Sequence, residues 1–305
     1  DELMSEGPSE VALYRGERLT LQRLGDVTLG DELVHTEGTV LATGGARGVT
    51  YELVKELALV KPRKVLILAR TLGVTESDSP IFGLSAEEQK SAARSALDGK
   101  VERITPVAIK RWIEREEKKL EVTRNLELLR ALGCEVEAFQ CDVSDHASLM
   151  AVAEQVESAH GSVELLIHGA GIEESKFIQD KDADAFERTF KPKADALSVL
   201  VTKLSPARTL TMGSVAGRFG NGGQADYSAA NEWMGGMARA TDSAMVNVCW
   251  TAWADVGMAT RGSVGKVLSE SGVELLPAAL GAKVGAYLAM SRVTGDVVVA
   301  GALGS

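Results

Sequence analysis

The first residues are polar and punctuated by turn signals at Gly7-Pro8, Arg15-Gly16 and Gly25-Asp26, with a strand-like stretch from Glu10 to Tyr14 among them. At Gly38 the pattern changes. Thr39 to Thr43 is a short apolar run, a glycine-rich turn follows, and Val49 to Val60 carries apolar residues at helical spacing. A second apolar run, Lys64 to Arg70, comes next. Strand, glycine turn, helix and strand within about 30 residues form the βαβ unit of a parallel sheet. Residues 72–124 interrupt the rhythm with Ser/Asp/Glu-rich sequence and a charged stretch, Lys110 to Lys119, that contains Trp112; they read as a helical insertion. The alternation then resumes. Strands are predicted at Glu135–Gln140, Val163–His168, Arg208–Met212, Val246–Trp250 and Asp296–Ala300, and helical segments at Ala147–Ala159, Ala183–Leu204, Ala225–Ala240 and Ala278–Met290. The expected fold is α/β: a Rossmann-type, doubly wound parallel sheet of about seven strands with helices on both faces and the helical insertion. Residues 1–37 are set apart as an N-terminal segment, and 38–305 form the main domain.

Composition narrows the function classes. Apolar residues make up 45% and charged residues 25%, ordinary for a globular protein. A net charge of −10 without a dense Lys/Arg stripe argues against nucleic acid or an anionic membrane as a partner. The sequence has neither an apolar run of about 18 residues nor a basic-then-apolar leader, so the expected location is cytoplasmic. Cys134, Cys141 and Cys249 lack CxxC spacing and a nearby histidine cluster; reduced, structural thiols are expected, with no metal site.

The chemistry gathers at the predicted strand ends. In Thr43-Gly44-Gly45-Ala46-Arg47-Gly48-Val49, glycines permit close backbone approach, and the following helix start offers unpaired N–H groups to a pyrophosphate. Such a turn is equally compatible with a purely structural role when taken alone. The second strand ends in Arg70, where an enzyme preferring NAD places an acidic residue; Arg suits the 2′-phosphate of NADPH, although a surface arginine would look the same. Asp142-Val143 and His168-Gly169-Ala170-Gly171 follow the next two strands, at the edge where such sheets bind ligands. Asp142 suits the adenine or a helix N-cap, and His168 is read as a packed histidine rather than a proton carrier.

Ser214 ends a predicted strand, Tyr227 lies 13 residues later at a helix start, and Asn231 follows one turn beyond. A Ser and a Tyr held together can hydrogen-bond one carbonyl oxygen, so that Tyr227 protonates an alkoxide formed by hydride addition while Ser214 stabilises its charge. A free phenol has a pKa of about 10 and needs a nearby cation to cycle its proton at neutral pH.

These residues resemble the short-chain dehydrogenase/reductases, with one exchange. The usual member carries Lys four residues after Tyr; here Asn231 stands there, and Lys193, in Phe190-Lys-Pro-Lys-Ala-Asp-Ala196, stands where the usual member has Asn. That exchange resembles the ketoreductase domains of polyketide synthases. The loop and the long insertion look most like those of polyunsaturated fatty acid synthases. The resemblance spans residues 38–303, including Trp250-Thr-Ala-Trp253 before a substrate lid at Met258 to Ser271, and Glu10 to Leu19 looks like the remnant of a preceding structural subdomain. It implies Tyr227 as proton donor, Ser214 as carbonyl partner, Lys193 tuning Tyr227 and holding the nicotinamide ribose, and Asn231 as a relay. The implied substrate is a β-ketoacyl thioester on acyl carrier protein, reduced with NADPH among neighbouring synthase domains. The chain departs from the family pattern at Thr50, which replaces a glycine, at Ile172-Glu173-Glu174, which replaces Leu-Asp-Asp, and at Phe219, which replaces a Trp; hydroxyl stereochemistry is therefore left open. A free-standing reductase of a diffusible ketone and a non-catalytic NADP-binding scaffold are the alternatives.

Overall fold

The computed structural model describes residues 12–14, 17–19, 25, 38–240, 244–257, 262 and 264–303. The chain divides into two units, Asp1–Asp31 and Glu32–Ser305. In the first, strand β1 (Ala12–Tyr14) pairs antiparallel with β2 (Glu17–Leu19), Ala12 opposite Leu19. Glu10, where the sequence pattern starts that strand, lies outside the described residues.

The second unit alternates strands and helices: β3 (Thr39–Thr43), α1 (Gly48–Val60), β4 (Lys64–Ala69), α2 (Ala86–Leu97), α3 (Pro106–Ala131), β5 (Glu135–Gln140), α4 (His146–His160), β6 (Val163–His168), α5 (Ala183–Phe190), α6 (Ala194–Leu204), β7 (Arg208–Ser214), the short α7 (Val215–Phe219), α8 (Ala225–Ala240), β8 (Met245–Trp250), α9 (Val264–Glu270), α10 (Ala278–Met290) and β9 (Gly295–Val299). The strands form one seven-stranded sheet in the order β5-β4-β3-β6-β7-β8-β9, every neighbouring pair parallel. A parallel sheet is covered on both faces, which is why its inner strands β3, β4, β6, β7 and β8 are almost wholly buried, whereas the edge strand β5 (EVEAFQ) exposes Glu135, Glu137 and Gln140. Alternate residues of β3 show it: Val40 and Ala42 join Leu53, Leu57, Leu129 and Ala286 on one side, whereas Leu41 joins Leu149, Leu197, Leu200 and Met234 on the other. Helix starts follow from local capping. Ser85 and Glu88 form a capping box at α2, and Thr105, Asp145 and Asp182 accept N–H groups at α3, α4 and α5.

Two predicted segments differ. The helix expected from Ala183 to Leu204 is broken into α5 and α6 at Lys191-Pro192-Lys193. Pro192 has no N–H to donate and its ring crowds the preceding turn, so the helix stops and restarts. The insertion, expected to end near residue 124, contributes a helix that runs without a breaker to Ala131, where Gly133 (φ +90°) turns the chain into β5. Trp112, in the charged stretch, is buried with Ile81, Ala93 and Leu120 in a small core of its own.

Strand order reverses between β3 and β6, which puts Thr43 opposite His168 at their carboxyl ends. In such sheets this crevice is where ligands bind.

A buried cation ties the sheet to its last helix. Arg208, at the start of β7, donates to the carbonyls of Ala289 and Leu288 at 2.8 Å and of Val293 at 2.7 Å, where α10 ends; burial lowers its pKa to about 10, so it remains charged at neutral pH. Replacing it with Met leaves three carbonyls without their donor. Urea unfolding of Arg208→Met is expected to show a loss of about 3 kcal/mol or more; a loss below about 1 kcal/mol would show that water replaces the guanidinium at little cost.

Candidate functional site

The glycine loop between β3 and α1 has the form the sequence predicts. Gly44 takes φ +70°, and a Cβ there would lie 3.1 Å from the Gly169 carbonyl oxygen and the Ala170 nitrogen; a Cβ on Gly45 would lie 2.6 Å from that of Ala42. At Gly48 (φ +65°), by contrast, a side chain would meet nothing within 4 Å, so the loop is packed beneath and open above. Arg47 occupies the N-cap position of α1 in extended backbone and supplies no side-chain cap, leaving the first N–H groups of α1 for an anion. These features fit the pyrophosphate of a dinucleotide. Thr50 is buried with its hydroxyl against the following turn: a Cβ on Gly169 would sit 2.0 Å from Thr50 Oγ1. The departure from glycine at 50 is thus matched by the absence of a side chain at 169.

A hydrogen-bonded brace crosses the crevice. The Thr43 hydroxyl donates to His168 Nδ1 at 2.9 Å and accepts from the N–H groups of Gly169 (3.2 Å) and Ala170 (3.1 Å). His168 Nε2 donates to the Lys193 carbonyl at 3.0 Å. Burial, reinforced by the Lys193 charge, pushes the His168 pKa down to about 3. The ring is neutral at any physiological pH and faces inward, so what this position offers a ligand is its backbone and the Gly169–Gly171 turn. A Cβ on Gly171 would fall 2.8 Å from Lys193 Cε, which places that turn directly against the lysine stem.

Lys193 is the N-cap residue of α6, just past the proline break, and points into the protein. Its ammonium donates to the Met212 carbonyl on β7 at 3.0 Å and lies 5.5 Å from the centre of the Tyr227 ring. Both residues are buried, and burial lowers Lys193 to about 8. Ser214 ends β7 and accepts from the Ala216 N–H at 3.1 Å, which leaves its hydroxyl hydrogen to donate. Asn231, one turn below Tyr227 on α8, donates from Nδ2 to the Tyr227 carbonyl at 2.7 Å; its buried Oδ1 has no hydrogen-bond partner among the described residues. The fold therefore brings Lys193, Tyr227, Asn231 and the end of β7 together. Arg70 lies just past β4 and is exposed. Asp142, also exposed, feels an upward push from partial burial, but the Ser144 hydroxyl and N–H and the Arg70 charge hold it below the usual carboxylate range. Val143 is buried in the core beneath. Trp250 and Trp253 meet edge to face at 5.0 Å, and Gly257, where a Cβ would be 3.1 Å from Val49, brings the segment leading to the expected lid over the start of α1. Of that lid, Met258–Arg261 and Ser263 lie outside the described residues.

One element of the site escaped the sequence pattern. Lys181 and Asp226 form a buried ion pair at 2.8 Å, their side chains 4% and 0% exposed. Lys181 also donates to the Glu174 carbonyl at 2.6 Å, and the other Asp226 oxygen accepts the Tyr227 N–H at 2.8 Å. Together with the Lys176 N–H, which donates to the Gly223 carbonyl at 2.9 Å, the pair fastens the strap 172–181 to the start of α8. An Asp beside Tyr227 was visible in the sequence, but nothing local identified its partner 45 residues away.

A seven-stranded, doubly wound parallel sheet with Lys193 and Tyr227 gathered beside its crevice defines the class of Rossmann-type α/β domains. Within that class the chain belongs to the KR domain family, the ketoreductases, which it matches over residues 38–256. It is 27% identical over 280 residues to one of the polyunsaturated fatty acid synthase subunits of Thraustochytrium sp., covering 87% of this chain and 10% of that relative. It is 26% identical over 244 residues to the polyketide synthase PksL of Bacillus subtilis, covering 76% of this chain and 4% of that protein. The chain thus spans a tenth or less of the length of these relatives. Among solved structures, the ketoreductase from the first module of phoslactomycin biosynthesis in Streptomyces sp. HK803 shares the fold with a TM-score of 0.69 and 23% identity, covering 97% of this chain and 60% of that one. Among the described residues no helix is long and apolar enough to cross a membrane.

Two contacts are directly testable. Gly169→Ala is expected to destabilise by roughly 1–3 kcal/mol through the clash with Thr50, and Thr50→Gly added to it should recover most of that loss in thermal melts. Lys181→Met strands a buried carboxylate and should cost about 3–5 kcal/mol, with Lys181→Met/Asp226→Leu costing clearly less. Equal losses in the single and double variants would show that the Asp226 carboxylate is not the source.

Proposed function

We propose that this chain reduces a β-ketoacyl thioester, carried on the phosphopantetheine arm of an acyl carrier protein, to the β-hydroxyacyl thioester with NADPH. The setting is a polyketide- or polyunsaturated-fatty-acid-type synthase whose neighbouring domains supply and take up the acyl chain; the relatives named above belong to such synthases. The observation that carries the reading is the buried Lys193 ammonium set 5.5 Å from the Tyr227 ring centre. An ammonium that close favours the phenolate over the phenol, which is what a tyrosine must become on giving up its proton.

NADPH, when bound, supplies the hydride. Tyr227 delivers a proton to the developing alkoxide, and Ser214 holds the carbonyl oxygen with the one hydrogen its capping role leaves free. Lys193 tunes Tyr227 and holds the nicotinamide ribose. Asn231, whose Oδ1 has no partner among the described residues, carries a proton relay onward. Thr43, Gly44, Gly45, Gly48 and Val49 cradle the pyrophosphate, Gly169, Ala170 and Gly171 flank the ribose, and Asp142 and Val143 border the adenine. Arg70 favours NADPH over NADH, since no acidic side chain ends β4 to bind the ribose hydroxyls, and Arg47 on the loop after β3 adds a second cation near the phosphates.

The test follows NADPH absorbance with a β-ketoacyl N-acetylcysteamine thioester. Wild type should consume NADPH, and NADH more slowly. Tyr227→Phe and Lys193→Ala should each lose about 10²-fold or more in kcat. The active form needs the lysine protonated. Because burial holds Lys193 at about 8, turnover should fall as pH rises through that value, and Lys193→Ala should abolish that limb. Tight NADPH binding without turnover on either the small thioester or a carrier-protein-bound one would point instead to a scaffold.

A further inference from the structure

Helix α3, contributed by the insertion, belongs to the nucleotide end of the site. Glu121 and Asn125, one turn apart, face the glycine loop: the Glu121 carboxylate accepts from Arg47 Nε at 2.6 Å, and Asn125 Nδ2 donates to the Ala46 carbonyl at 2.9 Å. Between them, Thr123 donates to the Val74 carbonyl at 2.8 Å, and Arg124 reaches Glu76 at 3.5 Å. Gly73 accommodates this contact, because a Cβ there would lie 2.2 Å from the Thr123 hydroxyl oxygen. One stretch of α3 therefore grips both the loop after β3, which carries Arg47, and the loop after β4, which begins at Arg70.

We infer that Glu121 is a specificity-determining residue of the nucleotide site: it is an anionic partner that occupies Arg47 and that the 2′-phosphate of NADPH must compete with. The inference rests on the reading of residues 43–49 as a dinucleotide loop. The carboxylate offsets the guanidinium charge and adds a negative charge beside the path of an incoming phosphate. The pair is 36% and 44% exposed, so it is held weakly enough to exchange. NADH lacks the 2′-phosphate and meets no such competition. The insertion thereby moderates NADPH affinity through one side chain.

The experiment measures dissociation constants for NADPH and NADH by calorimetry, without acyl substrate, for wild type, Glu121→Gln, Arg47→Ala and the double variant. Glu121→Gln keeps the side-chain shape and is expected to tighten NADPH roughly two- to fivefold while leaving NADH unchanged, with a smaller gain when Arg47 is already Ala. Weaker NADPH binding by Glu121→Gln would overturn the inference, since it would mean that Glu121 orients Arg47 rather than competing for it. An equal change for both nucleotides, or an equal gain in the two Arg47 backgrounds, would overturn it too. Should wild type bind NADPH in preference to NADH while Glu121→Gln changes nothing, the inference alone fails. Should wild type bind neither nucleotide, the dinucleotide reading fails with it.

Discussion

The arrangement of the site depends on four hydrogen bonds at the point where strand order reverses. The Lys193 carbonyl can only accept, so the proton of His168 sits on Nε2; Nδ1 must then accept, and the Thr43 hydroxyl supplies its hydrogen. Both lone pairs of that hydroxyl are taken by the N–H groups of Gly169 and Ala170. Adding a proton to the buried ring would place a second N–H against an oxygen with no acceptor capacity left. This is the physical sense of a pKa near 3. The brace joins the end of β3, the turn after β6 and the start of α6, which carry the glycine loop, the Gly169–Gly171 turn and Lys193.

Lys193 gains its place from a defect. Pro192 interrupts what would otherwise be one long helix, and the restart turns the next side chain inward, between β7 and the Tyr227 ring. A buried ammonium is costly to keep charged, and its pKa falls accordingly. That same loss of hydration makes its field at the phenol stronger than it would be in water. A comparable trade is made at Lys181 and Asp226, where two buried charges hold the strap to the start of the tyrosine helix. Geometry at Tyr227 is thus supported from two sides by cations that the sheet alone would not position.

Much of the fold was legible because a doubly wound sheet writes itself into sequence. Inner strands buried on both faces are short apolar runs, and each of the seven strands predicted from Thr39 onward became a strand of the seven-stranded sheet. The periodicity from 183 to 204 reads as one helix, but a single proline, Pro192, breaks it into α5 and α6. The helix of the insertion continues past 124 to Ala131, into the crossover to β5, because no Gly or Pro marks its end before Gly133. At the site, Ser214, Tyr227 and Asn231 stood out by residue type and spacing, and Lys193 through the family resemblance. The hydrogen-bond partners of His168, the contact of Thr50 with Gly169, the Lys181–Asp226 pair and the grip of α3 on the glycine loop did not. Each joins residues distant in sequence through a contact that no local pattern encodes.

What the sequence determined by itself was therefore the order of elements, the two-sided burial of the sheet and the kinds of chemical group available at its carboxyl edge, because periodicity and turn chemistry are local properties of the chain. Tertiary structure alone decided which of those groups meet and in what state. It sealed Lys193 and His168 from water, set one tautomer on the imidazole, and brought Glu121 from the insertion to Arg47. Protonation and pairing depend on burial and on partners tens of residues away, and those exist only once the sheet has closed over them.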